Sequence, residues 1–277
     1  MPLLEIDIPV SLKKALDKHA TQKNEPTDQI INNALAQYLE LPLHTLFQVS
    51  TSGALVAGVY SGMVAVDTLL QHGDFGLGTF ASLDGEMAVM EGKVYQIRGN
   101  GKVTIAPDDA LAPFAVVTRF KPQKDLTIGQ VQSLSQLEEM CDAHSPSENL
   151  FYAFRIDGHF AQVHTRVVNP PSKGTRLADA AKSQTEFRFC NIEGSLIGIW
   201  SPSFSSAFSV PGHHFHFLSA DRQHGGHLLD CASFGPLRLQ MEELNDFHLA
   251  LPETQEFLTA DLSKDSSAEL AYAEKSH

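Results

Sequence analysis

Between Pro211 and Asp230 the chain reads PGHHFHFLSADRQHGGHLLD, and this run constrains the fold more than any other. His214-Phe215-His216-Phe217-Leu218 alternates with the period of a strand, Asp221–Gly226 is rich in turn formers, and His227-Leu228-Leu229 resumes a strand pattern. A return after so short a turn pairs antiparallel with the first strand, so the spacing predicts a β-hairpin. Residues i and i+2 of a strand share one face, about 6–7 Å apart. His214 and His216 then point one way, while Phe215 and Phe217 point to an opposite, apolar side. The hairpin brings His227 back beside the pair.

Three convergent imidazoles leave coordination positions open, which is the donor set of a catalytic zinc. The same set suits iron, copper or nickel. Spacing alone also admits His213 and His224, but His213 points away from the pair and His224 sits in the turn. The chain has 13 histidines, so some clustering is expected by chance, and unconnected core or surface histidines are the plainer reading.

Elsewhere β-like runs dominate: Ala54–Tyr60, Met87–Met90, Lys93–Ile97, Phe114–Thr118, Phe151–Ile156, Phe187–Phe189, Gly194–Trp200 and Leu237–Gln240. An amphipathic helix is predicted over Ile128–Met140, on Val131, Leu134, Leu137 and Met140, and a short one over Leu177–Ser183. Gly73–Gly78 reads as turns and close backbone packing. There is no β–α–β alternation and no internal repeat, so the fold class is α+β, with mixed or antiparallel sheets and flanking helices. The turn-rich Asn169–Gly174 suggests a subdomain break near 169–185.

Residues 1–43 look like a separate segment. Leu4, Ile6 and Ile8 alternate with Glu5 and Asp7 as in a strand. A helix follows through Leu12, Leu16 and His19-Ala20, then a second helix capped by Thr27, with Ile30, Ile31, Ala34, Leu35, Tyr38 and Leu39 on one face and Leu41-Pro42 ending it. So small a unit cannot hold a core alone. The order resembles the ribbon-helix-helix family, which implies an intertwined dimer. DNA binding by the strand is disfavoured, because Glu5 and Asp7 would repel phosphate.

The formal net charge of −13 argues against a large nucleic-acid or anionic-membrane footprint. No apolar stretch is long enough to span a bilayer, and the N-terminus lacks the basic start of a signal peptide. Cys141, Cys190 and Cys231 form no Cys-x-x-Cys and read as reduced thiols, which places the protein in the cytoplasm. No Walker loop, dinucleotide fingerprint or Gly-x-Ser-x-Gly elbow is present.

The hairpin Gly212–Phe217 with Gly225-Gly226-His227 resembles the metal motif of acetolactate decarboxylases. Leu46–Ser50, Gly73–Thr79, Leu83-Asp84-Gly85-Glu86-Met87, Ala112–Val116 and Glu193–Gly198 agree with that family, so the resemblance covers about residues 46–277. It implies conversion of α-acetolactate to acetoin and carbon dioxide through a metal-stabilised enediolate, at a zinc held by His214, His216 and His227. It further implies two β-sheet subdomains with the site between them, and a homodimer. The family's functional glutamate falls on Glu86, its arginine on Arg166, and a second, C-terminal glutamate on Glu274 when Leu251-Pro252 and Asp261-Leu262 are kept in register. Thr79 is a further pocket-lining candidate.

On that resemblance Glu86 donates a proton, Arg166 orients the substrate and Glu274 closes the site, with the two glutamate roles interchangeable. Without it, Glu86 reads as a solvated hairpin residue, Arg166 as half of a surface ion pair, Thr79 as a turn residue and Ser263–His277 as a frayed tail in which Glu269 competes with Glu274. Two other functions fit the histidine spacing or the N-terminal segment. One is a cupin-like metal-dependent oxygenase or isomerase, and the other a ligand-sensing DNA-binding regulator.

Overall fold

Gly194 and Gly198 show how the main body is built. A Cβ on Gly194 would lie 2.5 Å from the Phe217 ring, and one on Gly198 would lie 2.1 Å from the Phe215 ring. The two phenylalanines predicted to face away from the histidines therefore press against a neighbouring strand at two positions that carry no side chain, on either side of Leu196. Around them Phe154, Phe160, Leu196 and Leu239 complete a buried apolar core.

The computed structural model describes residues 5–23, 27–39, 44–172, 174–264 and 266–274. Residues 1–43 and 44–277 form two compact units. In the first, helices Val10–Lys23 and Thr27–Tyr38 match the two predicted ones. Residues 5–9 carry no strand pairing, and Leu4 and Leu41-Pro42 lie outside the described residues.

The second unit holds two large sheets. One has seven strands in the order Asp246–Ala250, Thr45–Val49, Phe114–Thr118, Phe75–Thr79, Glu86–Met90, Lys93–Ile97 and Val103–Ile105. Its first pair runs parallel and the others antiparallel. The other sheet has six strands in the order Thr185–Ser201, Gly212–Ser219, Gly225–Ser233, Phe151–Val167, Leu237–Leu244 and Lys124–Ile128. Phe151–Val167 and Thr185–Ser201 also pair with each other, from Tyr152↔Trp200 to Val167↔Thr185, which closes four strands into a ring. This is the mixed α+β class expected.

Several local expectations are corrected. The apolar run 54–60 contains the helix Ser52–Val56 rather than a strand, with the Thr51 hydroxyl accepting from the Ala54 N–H. The helix expected from Ile128 begins at Leu134, because Ile128 ends a strand and Ser133 caps the helix through Gln136 N–H. Gly73–Gly78 runs into the strand Phe75–Thr79. The close packing expected there holds, since a Cβ on Gly76 would sit 2.0 Å from the Val116 carbonyl oxygen. The chain passes between sheets at 119–123 and at Asn245. Segment 169–184, expected as the break, instead joins two neighbouring strands of the second sheet and carries the helix Leu177–Ala181. The C-terminal stretch carries the helix Ser267–Glu274, whose Leu270 and Ala273 are buried.

Candidate metal centre and active site

His216 and His227 sit directly opposite each other in the predicted hairpin, and His214 lies two residues before His216 on the same face. One ring nitrogen from each lies within 4.8 Å of those of the other two. His214 Nε2 and His227 Nδ1 are 3.1 Å apart. Two nitrogens bound tetrahedrally to one zinc lie about 3.3 Å apart, so this spacing suits a shared ion.

The remaining nitrogens fix the tautomers. His216 Nδ1 donates to the Met87 carbonyl at 2.8 Å, and His227 Nε2 donates to the Glu274 carbonyl at 3.2 Å. A carbonyl only accepts, so the protons sit on those nitrogens and the opposite lone pairs face inward. Burial pushes His214 and His216 down to about 3 and His227 well below its usual range, with Arg166 adding to the effect. Neutral, buried imidazoles with converging lone pairs are fitted to hold a divalent metal.

Met87 belongs to the first sheet, so its bond to His216 links the two sheets at the site. Glu86 precedes it, and its side chain lines the same cup-shaped cavity as the three histidines. Its Oε2 lies 3.7 Å from His216 Nε2, and its Oε1 accepts from Val168 N–H at 3.2 Å. Burial raises its carboxyl to about 7, with the Glu274 charge adding to the rise and Arg166 and Val168 opposing it. Glu86 is thus no solvated hairpin residue, being only 8% exposed.

The turn before Glu86 is held firmly. Ser82 and Leu83 take left-handed backbone angles, φ 63° and 53°. Thr79, paired with Glu86 across the strands, donates to the Gly85 carbonyl at 2.9 Å. Gln96 donates to the Asp84 carbonyl at 2.6 Å, and Arg98 Nε donates to the Asp84 carboxylate at 3.0 Å. Thr79 lines the cavity and at the same time fixes this turn.

Arg166 is 4% exposed and lies across from His227. A bulge between His164 and Thr165 leaves Leu229 unpaired and sets that register. Its Nη2 is 3.5 Å from Glu274 Oε2, and its Nε is buried with no hydrogen-bond partner. Glu274 Oε2 also lies 3.7 Å from His214 Nε2 and 3.6 Å from His227 Nδ1, and burial raises its carboxyl too. Glu269 instead pairs with Arg176 on the outside at 2.9 Å, so Glu274 is the C-terminal glutamate that reaches the cup. Leu55, Leu83, Phe114, Val168, Leu177 and Val210 supply apolar walls.

All seven residues singled out in the sequence therefore border one cavity. Sequence reasoning missed the Met87 carbonyl and the Val168 N–H, since backbone groups leave no residue-type signal. It also missed Gln184, whose Oε1 faces Arg166 Nη1 at 3.5 Å. His213, read as pointing away, bonds Asp142 at 2.8 Å on the other face and stacks on Phe215.

A family model described as alpha-acetolactate decarboxylase matches residues 46–264. The chain is 40% identical over 232 residues to the alpha-acetolactate decarboxylase of Methanosarcina mazei, covering 83% of this chain and 80% of that protein. It is 41% identical over 228 residues to that of Raoultella terrigena, covering 81% and 87%. The crystal structure of alpha-acetolactate decarboxylase from Bacillus subtilis strain 168 superposes with a TM-score of 0.81 at 32% identity, covering 84% of this chain and 100% of that one. The match spans both sheets, the histidine hairpin, Glu86 and Arg166, and the chain belongs to the alpha-acetolactate decarboxylase family.

Proposed function

We propose that this protein is a carbon–carbon lyase that converts α-acetolactate to acetoin and carbon dioxide, with zinc held by His214, His216 and His227. The observation that carries the reading is the meeting of three buried imidazoles, two of them tautomer-fixed by backbone carbonyls, with a buried arginine and two buried glutamates in one cavity. When bound, the metal supplies positive charge that stabilises negative charge developing on the substrate's oxygens.

The chain's own residues do the rest. The Arg166 guanidinium, with its unpartnered Nε, holds the substrate's anionic end. The apolar walls keep water from the reacting carbons and accept the two methyl groups. As the bond to the carboxylate carbon breaks, its electron pair moves toward the neighbouring carbonyl as an enediolate. The carbon that lost carbon dioxide then takes one proton. Glu86 is the donor, because burial leaves its carboxyl protonated close to neutral pH while it stays beside His216. Glu274, on the last turn of its helix, closes the cavity and faces Arg166.

The test is acetoin and carbon dioxide production from racemic α-acetolactate by the purified protein. Activity should disappear on chelation and return with zinc. A folded, metal-replete sample without turnover would sink this reading, and oxygen uptake in its place would favour the oxygenase alternative.

Residues 1–43 serve as a dimerisation module in this proposal. Among the described residues of that unit, Ala36 is buried, while Val10, Leu12, Leu35, Tyr38 and Leu39 stay exposed. A second copy would cover this apolar surface. Sedimentation should give a dimer for the full chain and a monomer for residues 44–277, and a dimeric truncation would remove the role. No described helix is long and apolar enough to cross a membrane, and the three free thiols support a cytoplasmic placement.

A further inference from the structure

Two residues outside the cavity lining adjoin Arg166. Glu186 lies on the strand Thr185–Ser201 directly across from Arg166, and Gln184 sits just before that strand. Gln184 Oε1 faces Arg166 Nη1 at 3.5 Å. Gln184 Nε2 donates to Glu186 Oε1 at 3.1 Å, and Glu186 Oε2 accepts from His164 Nε2 at 2.8 Å.

A side-chain amide has nearly the same shape whichever end faces a neighbour, so packing alone does not orient it. An ionised carboxylate only accepts. Hydrogen bonds from Gln184 and His164 hold Glu186 below its usual carboxylate range, which keeps it ionised. Glu186 therefore demands the amide nitrogen, and the amide oxygen is left facing the guanidinium. With Nη1 directed to Gln184 and Nη2 to Glu274, the rotation of Arg166 is set and Nε remains unmatched.

We propose that Gln184 and Glu186 are positioning residues, which orient Arg166 for the substrate through the fixed direction of the Gln184 amide. The inference rests on the reading that Arg166 binds the substrate's anionic end. It predicts that the polarity of residue 186 controls binding more than its charge does. Lysine at this position only donates, so it would turn the Gln184 amide around and aim its N–H groups at Arg166. Added positive charge alone would attract an anionic substrate, so positioning and simple electrostatics predict opposite signs.

The experiment compares Glu186→Lys, Glu186→Gln and Gln184→Met in the zinc-loaded full chain, reading kcat and KM separately, with metal content and Tm measured alongside. Glu186→Lys and Gln184→Met should raise KM roughly tenfold, the size of a misdirected bond to a charged group, with kcat within about threefold. Glu186→Gln should stay close to the parent, because its oxygen can still accept from Gln184. An unchanged or lower KM in Glu186→Lys overturns the proposal, as does a loss in all three that tracks Tm. Arg166→Lys separates the two levels. If it too leaves KM unchanged, the reading of Arg166 as the substrate's partner fails. If only Arg166→Lys raises KM, that reading stands and the positioning role falls.

Discussion

His216→Ala should yield a folded protein that retains no zinc after dialysis and loses about a thousandfold or more in turnover. The size follows from what the substitution removes. A metal stabilises charge in the transition state by several kcal/mol, and each 1.4 kcal/mol is a factor of ten. His216 is 1% exposed, and its Nδ1–H is spent on the Met87 carbonyl, so its other nitrogen is already committed to the cup. Two imidazoles remain in the variant, too few to hold the ion against dilution. His213→Ala is the internal control, because His213 bonds Asp142 and stacks on Phe215 on the opposite face. It should cost some stability but keep both metal and turnover. Metal content by mass spectrometry and a circular dichroism spectrum decide the matter. Full zinc occupancy in His216→Ala would remove the three-histidine centre.

The centre was legible where the chemistry is local. A two-residue repeat, a turn and a returning strand suffice to place His214, His216 and His227 together, and the structure pairs His216 with His227 as that logic requires. The capping signal at Ser133 was equally local and was overrun. The Ser133 hydroxyl accepts from Gln136 N–H, while Gln136 Oε1 accepts from Gln132 N–H, which starts the helix well after Ile128. The run at 54–60 was ambiguous on principle, since a short, fully buried apolar run fits helix or strand alike. Here Ala54, Leu55 and Val56 are all buried, so no exposed face reveals the period.

The rest of the site depends on pairings far apart in the chain. Glu86 and Arg166 reach the same cavity because Met87 of one sheet accepts from His216 of the other, and because one bulge sets Arg166 opposite His227. Neither event has a residue-type signature, so both assignments rested on the family resemblance. The same holds for choosing Glu274 over Glu269. Periodicity could not decide it, and the Arg176 ion pair does, by holding Glu269 outside.

Glu86→Gln should lower kcat by about 10² to 10⁴, the range for removing a positioned general acid, with zinc content and KM little changed. Glutamine keeps the shape, and its amide oxygen can still accept from Val168 N–H, so the turn from Ser82 to Gly85 has no reason to move. What disappears is the acidic proton. The buried carboxyl, raised to about 7, holds that proton close to neutral pH, whereas an amide cannot deliver one. Loss of carbon dioxide would still be possible, but the carbon left behind would wait for water. With water kept out of the cavity, the enediol would take its proton only after release into bulk water, which has no preferred side, so the residual acetoin should be racemic. Chiral chromatography reads this directly and does not depend on the rate. If Glu86→Gln keeps its turnover and its stereochemistry, Glu86 is not the donor. The matched Glu274→Gln variant then decides whether the proton comes from the other carboxyl. Glu274 faces Arg166 at 3.5 Å and the ring nitrogens of His214 and His227 at 3.7 and 3.6 Å, whereas Glu86 lies beside His216. Placed so, Glu274 is held mainly by cationic and metal-binding partners, and its substitution should move KM and zinc retention before it moves stereochemistry.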